Sequence, residues 1–299
     1  MTDDARDQFE QLVGELRPKL HRYCARMTGS AVDGEDIVQD ALIKALAALP
    51  NFGVIDNPEG WLFRIAHNTA LDFLRRRAHG PMMQNNKALD MINAPDFPDQ
   101  SHEVATMSLR TFMRLPALQR SAVILKDVLG HSLEEVSSIT GASEAAAKSA
   151  LQRGRVRLRE FAKEPADVSL PMLSDGMRAR LTTYVEGFKI GDFDTVRAML
   201  ADDVKLDLVA KLRKQGKSEV GEYYAAYAAA KQWAYAAGIA DGRAAMLVYD
   251  RNISLETPAY FVALDFDGDR VVSIHDFLFA RYAMDGIDLS PLNPAPRSR

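Results

Sequence analysis

Cysteine is almost absent from this chain. Its one thiol, Cys24, has no intramolecular disulfide partner, and the setting "LHRYCARM" predicts a buried small hydrophobe. No run of about 18 apolar residues is present to form a membrane-spanning helix. The amino-terminal "MTDDARDQFEQ" is acidic and polar, unlike a secretory signal, so the expected compartment is the cytoplasm. The six histidines are scattered and Cys24 stands alone, so neither a metal site nor a cofactor is expected. Internal repeats and a distinctive catalytic motif are also lacking. Positive charge is not in excess either: the formal net charge is -4, which by itself argues weakly against a nucleic-acid partner.

What is present is enough for several folded domains. A chain of 299 residues with 47% hydrophobic and 26% charged residues exceeds one ordinary core, so two or three domains are expected. Within the acidic background, "GASEAAAKSALQRGRVRLREF" (141–161) concentrates lysine and arginine. On a helix, Lys148, Gln152, Arg155, Arg159 and Lys163 share one side, and Ala147, Leu151, Gly154, Leu158 and Phe161 share another. Local charge decides binding, because fields are screened over about 10 Å.

Residues 8 to 77 read as helices. Asp33 is the expected N-cap of "DGEDIVQDALIKALAAL", with Ile37, Ala41, Ala45 and Leu49 inward. In "NPEGWLFRIAHNTALDFLRRR", Asn57 caps and Pro58 takes the first helical position. Arg64, Asn68, Asp72 and Arg75 form a polar face on that helix, and Trp61 at its other end reads either as a core aromatic or, beside Arg64 and Asn68, as a stacking platform for unpaired bases. The terminal Arg75, Arg76 and Arg77 also suit a helix C-terminus. Residues 79 to 102 lose periodicity and read as a linker, as does "KEPADVSLPMLS".

Between them lies the layout of a helix-turn-helix. Ser132 and Glu135 make a capping box, Gly141 ends the first helix in the left-handed conformation, and Ser143 caps the second. The basic stripe favours DNA over a merely solvated face, with Ala145, Ala146, Ser149 and Gln152 toward base edges. Beyond residue 174 the pattern becomes α+β. Helices are expected in "GMRARLTTYVEGFKIG", "DFDTVRAMLADD" and "EVGEYYAAYAAAKQW", and strands in "VKLDLV", "AAMLVYD", "AYFVALDF" and "RVVSIHDFLFARY", with a "DGD" hairpin.

These motifs, in this order, resemble an extracytoplasmic-function (ECF) sigma factor of bacterial RNA polymerase. "DGEDIVQDALIKAL" is similar to the helix that docks on the β′ clamp coiled coil. "NPEGWLFRIAHNTALDFLRRR" is similar to the segment that reads and melts the -10 element. "LPALQRSAVILKDVLGHSLEEVSSITGASEAAAKSALQRGRVRLRE" is similar to the domain that binds the -35 element. The resemblance implies a multidomain chain: an all-α sigma-2 domain over 1–78, a linker over 79–102 and an all-α sigma-4 domain over 103–163. A second linker over 164–174 would lead to a further domain over 175–290 and a tail over 291–299. That further domain resembles a SnoaL-like, NTF2-like α+β cone with a curved antiparallel sheet.

The resemblance also implies the contacts. Asp36, Gln39, Asp40, Ile43 and Lys44 would bind core polymerase, with the β flap as a further partner. Trp61, Arg64, Asn68, Arg75 and Arg76 would serve the -10 element. Ser143, Lys148, Ser149, Gln152, Arg153 and Arg155 would serve the -35 element, where Ala146 and Ala150 depart from the longer polar side chains of many relatives and leave room for readout of DNA shape. The cone offers Asp207, Tyr249, Asp265, His275 and Asp276, and a regulatory role through an intramolecular contact with the sigma domains is expected ahead of catalysis. The alternatives are a ligand-sensing DNA-binding regulator that never engages polymerase, and a SnoaL-like isomerase or hydrolase.

Overall fold

The computed structural model describes residues 3–49, 56–78, 104, 107–164 and 173–293, and the chain divides into two compact units, Met1–Ala166 and Asp167–Arg299. The expected linker at 79–102 lies outside the described residues, as do most of 164–174 and the end of the tail.

The first unit is helical: α1 (Asp3–Thr28), α2 (Ala31–Ala48), α3 (Pro58–Ala78), α4 (Leu109–Met113), α5 (Ala117–Val123), α6 (Leu133–Thr140) and α7 (Glu144–Lys163). Helix α5 runs on into a π-helical turn, Ile124–Val128. The N-cap of α2 is Ser30 rather than the expected Asp33. Ser30 has extended backbone and its hydroxyl accepts from the Asp33 amide at 3.2 Å, so the helix starts earlier and buries Ala31 and Val32. Helix α3 starts as anticipated, with Asn57 Oδ1 accepting from the Gly60 amide at 2.8 Å. Gly34 lets α1 and α2 approach closely: a Cβ there would fall 2.6 Å from the backbone of Ala25.

The helix-turn-helix is built as its sequence foretells. The Ser132–Glu135 capping box is complete, Gly141 holds φ +71°, and Ser143 Oγ accepts from the Ala146 amide. Residues of both helical blocks enter one apolar cluster, from Leu20, Tyr23 and Phe63 to Phe112, Val123, Ile139 and Leu151. Cys24 is buried in it, as its setting predicted, and burial pushes its thiol up.

The second unit is α+β: α8 (Asp175–Ile190), α9 (Phe193–Ala198) and α10 (Lys217–Ala229) with an open sheet of β1 (Leu200–Leu208), β2 (Leu212–Gln215), β3 (Trp233–Ala240), β4 (Arg243–Asp250), β5 (Tyr260–Asp267), β6 (Arg270–Asp276) and β7 (Leu289–Pro291). The strand order is β2-β1-β6-β5-β4-β3-β7. Its ladders are antiparallel except for β1 with β6, which are parallel, so the sheet is mixed where an antiparallel one was expected. Alternate residues, among them Leu206, Met246, Val248, Tyr260, Val262 and Ile274, form one core with Leu181, Tyr184, Phe188 and Tyr224 of the helices.

Two expected helices end early. "DFDTVRAMLADD" is helical only to Ala198, because Val204, Leu206 and Leu208 alternate with exposed or half-buried neighbours in β1. The segment reaching Trp233 gives way to β3, which turns into β4 through Asp241 and Gly242 at φ +49° and +85°. The "DGD" turn joins β5 to β6 as anticipated.

Candidate polymerase and nucleic-acid interfaces

Helix α7 turns its apolar stripe inward: Ala147, Leu151, Gly154 and Leu158 are buried. Ala150 is buried with them, so it is a packing position and not a base-facing one. Lys148 is exposed, while Ser149, Gln152 and Arg153 are half-buried, with Arg153 donating to Ser149 Oγ at 2.8 Å. Ser143 is exposed but its oxygen is engaged in the cap. Arg155 leaves the basic stripe for an ion pair. It donates to both oxygens of Asp127, at 2.9 and 2.6 Å, and Asp127's side chain is only 2% exposed. A guanidinium committed in this way aligns the helix rather than searching for phosphates. Asp127 lies in the π-helical turn, and no local spacing in the sequence announces it.

Helix α3 presents Arg64 and Asn68, both exposed and one turn apart. Trp61 is half-buried against the apolar cluster, which fixes the indole at the edge of that surface. Arg75 donates to Asp72 Oδ1 at 3.0 Å and Arg76 to the Asp72 carbonyl at 3.4 Å, with both side chains at the surface. Arg77 is tied to the buried Asp33 at 3.2 Å. His67, between the two exposed positions, turns inward and was not singled out by the polar-face pattern.

Helix α2 carries the remaining surface. Asp40, Ile43 and Lys44 are exposed, Ile43 by 54%, and Leu46 adds a second apolar side chain at 43%. Asp36 and Gln39 are half-buried, and Gln39 accepts from Arg17 at 3.0 Å while Arg17 also pairs with Glu35. Lys44 donates to Thr69 of α3 at 3.0 Å. Leu46 follows Ile43 by three residues, the helical spacing that carries this face onward.

The five candidates of the C-terminal unit divide between the two faces of the sheet. Asp276 faces the helices, where its Oδ2 accepts from Tyr223 and, at 2.7 Å, from Tyr227, whose oxygen lies 2.9 Å from that of Tyr260. Burial raises the Asp276 pKa, opposed by the two tyrosines and the Leu278 amide. Burial likewise pushes Tyr223, Tyr227 and Tyr260 up. The strand register places His275, Asp207, Asp265 and Tyr249 on the other face. There Asp207 pairs with Arg213 at 2.7 Å and Asp265 with Arg243 at 3.5 Å. The tyrosines of α10 are the partners that sequence alternation missed.

Comparison with known proteins identifies the helical modules that carry these residues. The Sigma-70 region 2 family matches residues 12–80, and Sigma-70, region 4 matches residues 109–158. The ECF RNA polymerase sigma factor SigG of Mycobacterium tuberculosis is 27% identical over 313 residues, covering 92% of this chain and 82% of its own, so the likeness extends into the C-terminal unit. ECF sigma factor SigM of the same organism is 33% identical over 150 residues, covering 50% of this chain and 74% of its own. Among solved structures, the ECF sigma factor SigJ of that species aligns with 87% of this chain and 93% of its own at 21% identity, with a TM-score of 0.36. The helical unit carries regions 2 and 4 in order, a unit of helices and a mixed sheet follows them in the sequence, and the chain belongs to the ECF sigma factors of RNA polymerase.

Proposed function

We propose that the outward face of α2 docks this sigma factor on the β′ clamp coiled coil of core polymerase, with region 4 meeting the β flap. The observation that carries this reading is the exposed pair Ile43 and Leu46, set beside Asp40 and Lys44 on the side of α2 away from the core. Apolar side chains ringed by charge suit a docking surface, with the charged rim setting orientation.

Promoter recognition is divided between two helices. Trp61, Arg64, Asn68, Arg75 and Arg76 of α3 hold the -10 element, where binding of the single strand offsets unpairing, a few kcal/mol per extruded base. Lys148, Ser149, Gln152 and Arg153 of α7, with Ser143 at its start, meet the -35 element. Arg155 acts there as a positioning residue through Asp127. The short side chains at Ala145 and Ala146 leave part of the specificity to DNA shape.

The C-terminal domain regulates rather than catalyses. A short tether gives it a millimolar effective concentration near the sigma domains, so a weak contact with them or with their linker suffices to alter promoter or polymerase binding. Run-off transcription with core polymerase tests both statements. Asp40→Arg abolishes initiation, and deletion from residue 170 onward changes its level. Transcription untouched by both changes would refute the assignment.

A further inference from the structure

Glu144 is an acid on a surface otherwise suited to DNA. It follows the Ser143 cap directly and is exposed, as are Ala145 and Lys148, while Ala146 is half-buried. The cap closes without it, since Ser143 Oγ accepts from the Ala146 amide at 3.3 Å. Among the described residues the Glu144 carboxylate has no hydrogen-bond or ion-pair partner, although Lys148 lies one turn on, at the spacing where such pairs form.

The second helix of a helix-turn-helix lies in the major groove with its N-terminal residues against base edges, and Glu144 opens α7. A carboxylate in that place is repelled by phosphates and loses hydration on approach, so it weakens binding unless it meets a donor. Base edges of the major groove offer two donors, the N4 amino group of cytosine and the N6 amino group of adenine. Adenine sets its N7 acceptor beside the amine, where it opposes the second carboxylate oxygen, whereas cytosine presents its donor with no acceptor of its own. Cytosine is the better match.

The neighbouring residues favour that contact. Ala145 carries only a methyl group at the surface, so the first turn of α7 can approach the groove closely enough for a glutamate to reach a base. Lys148, one turn later, supplies a cation for the phosphates and offsets the repulsion that Glu144 brings. A glutamate at the first helical position also suits the helix dipole, but that role distinguishes no base from another.

We propose that Glu144 reads a cytosine of the -35 element by accepting a hydrogen bond from its N4 amino group, and that it penalises sequences lacking a donor at that place. The proposal rests on the assignment of α7 to the -35 element and adds an acidic reader to it.

The test is selection from promoter duplexes randomised across the -35 element, using the full-length protein assembled with core polymerase. Wild-type holoenzyme enriches cytosine at one position, on one strand. Glu144→Ala lowers that preference about fivefold to tenfold at this position alone, and it binds unselected duplexes more tightly because a negative charge has gone. Glu144→Gln moves the preference at the same position toward adenine, to which an amide can bond twice. A residue serving only the helix dipole would lower the thermal unfolding temperature of the alanine variant and leave every base preference in place. Cytosine enrichment retained by Glu144→Ala, or no cytosine enriched by the wild type at any preferred position, overturns the proposal while leaving α7 on the -35 element. A wild-type selection with no base preference anywhere in the element overturns the assignment of α7 and the reading of Glu144 together.

Discussion

Arg155 holds Asp127 with two arms of its guanidinium across 28 residues of sequence, at 2.9 and 2.6 Å. The pair joins the π-helical turn to α7, and it converts one residue of a basic stripe into a fixture of the fold. Gly154 beside it lets α7 meet α5, since a Cβ there would fall 2.6 Å from Val123 Cγ2.

Asp127→Asn removes the charge that Arg155 answers. The expected loss is about 1–3 kcal/mol of stability, measured by urea unfolding. Affinity for a -35 duplex falls with it, while binding of a single-stranded -10 oligonucleotide is unchanged. The paired change Asp127→Leu with Arg155→Met restores most of the stability, because neither charge is then left buried alone.

On α2, Asp40→Arg and Ile43→Ser are surface changes, so each alters stability by no more than about 0.5 kcal/mol. Each nevertheless impairs binding to core polymerase, Asp40→Arg enough to abolish co-elution and Ile43→Ser in part, and the triple variant with Leu46→Ser also fails to co-elute. Retained co-elution by the triple variant rejects α2 as the docking face.

Lys148→Ala lowers affinity for -35 DNA about equally across sequences. The slope of log affinity against log salt becomes shallower by about one, as expected for one lost phosphate contact. Gln152→Ala changes sequence preference while leaving that slope alone. Titrations at several salt concentrations separate the two.

His67 makes the helical unit sensitive to acid. Burial first, and the charge of Arg75 second, hold its pKa down at about 4. It faces the Tyr23 hydroxyl from α1 and Ser121 from α5, with Arg120 acting on Tyr23 from the same side. Once exposed, the imidazole titrates near 6.5. Above about 6.5 the imidazole is neutral in the folded and the unfolded protein alike, and the fold has its full stability. As pH falls toward about 4 only the unfolded chain takes up the proton, so stability drops by at most about 1.4 kcal/mol per pH unit and then levels off. His67→Gln removes this window from urea unfolding curves measured between pH 7 and 4.

In the C-terminal domain, Tyr227→Phe takes one donor from the buried Asp276 and costs about 1–3 kcal/mol in thermal unfolding. Adding Asp276→Asn recovers part of the loss, because the stranded group no longer bears charge. Independent, additive effects of the two substitutions would contradict the network.

Much of this molecule is written in short-range spacing. The Ser132–Glu135 box, the left-handed Gly141, the Asn57 cap and the inward stripe of α7 each depend on residues within a turn or two, so periodicity and cap chemistry suffice to find them. The same logic fails at Asp33, where Ser30 offered an equally good cap three residues earlier. It fails again at β3, whose alanine-rich run has little strand propensity and is held by its pairing with β4 and β7.

The sequence alone therefore determined most of the helices and their caps, the order of the modules and the amphipathic character of α7. Tertiary structure decided which arginines answer buried acceptors: Arg155 on Asp127, Arg120 on the Met27 carbonyl, Arg77 on Asp33. It also decided that β1 lies parallel to β6 and that Asp276 meets the tyrosines of α10. The reason is range. A helix or strand repeats its pattern every few residues, whereas a buried charge takes whichever partner the folded chain brings within about 3 Å, and sequence separation carries no record of that distance.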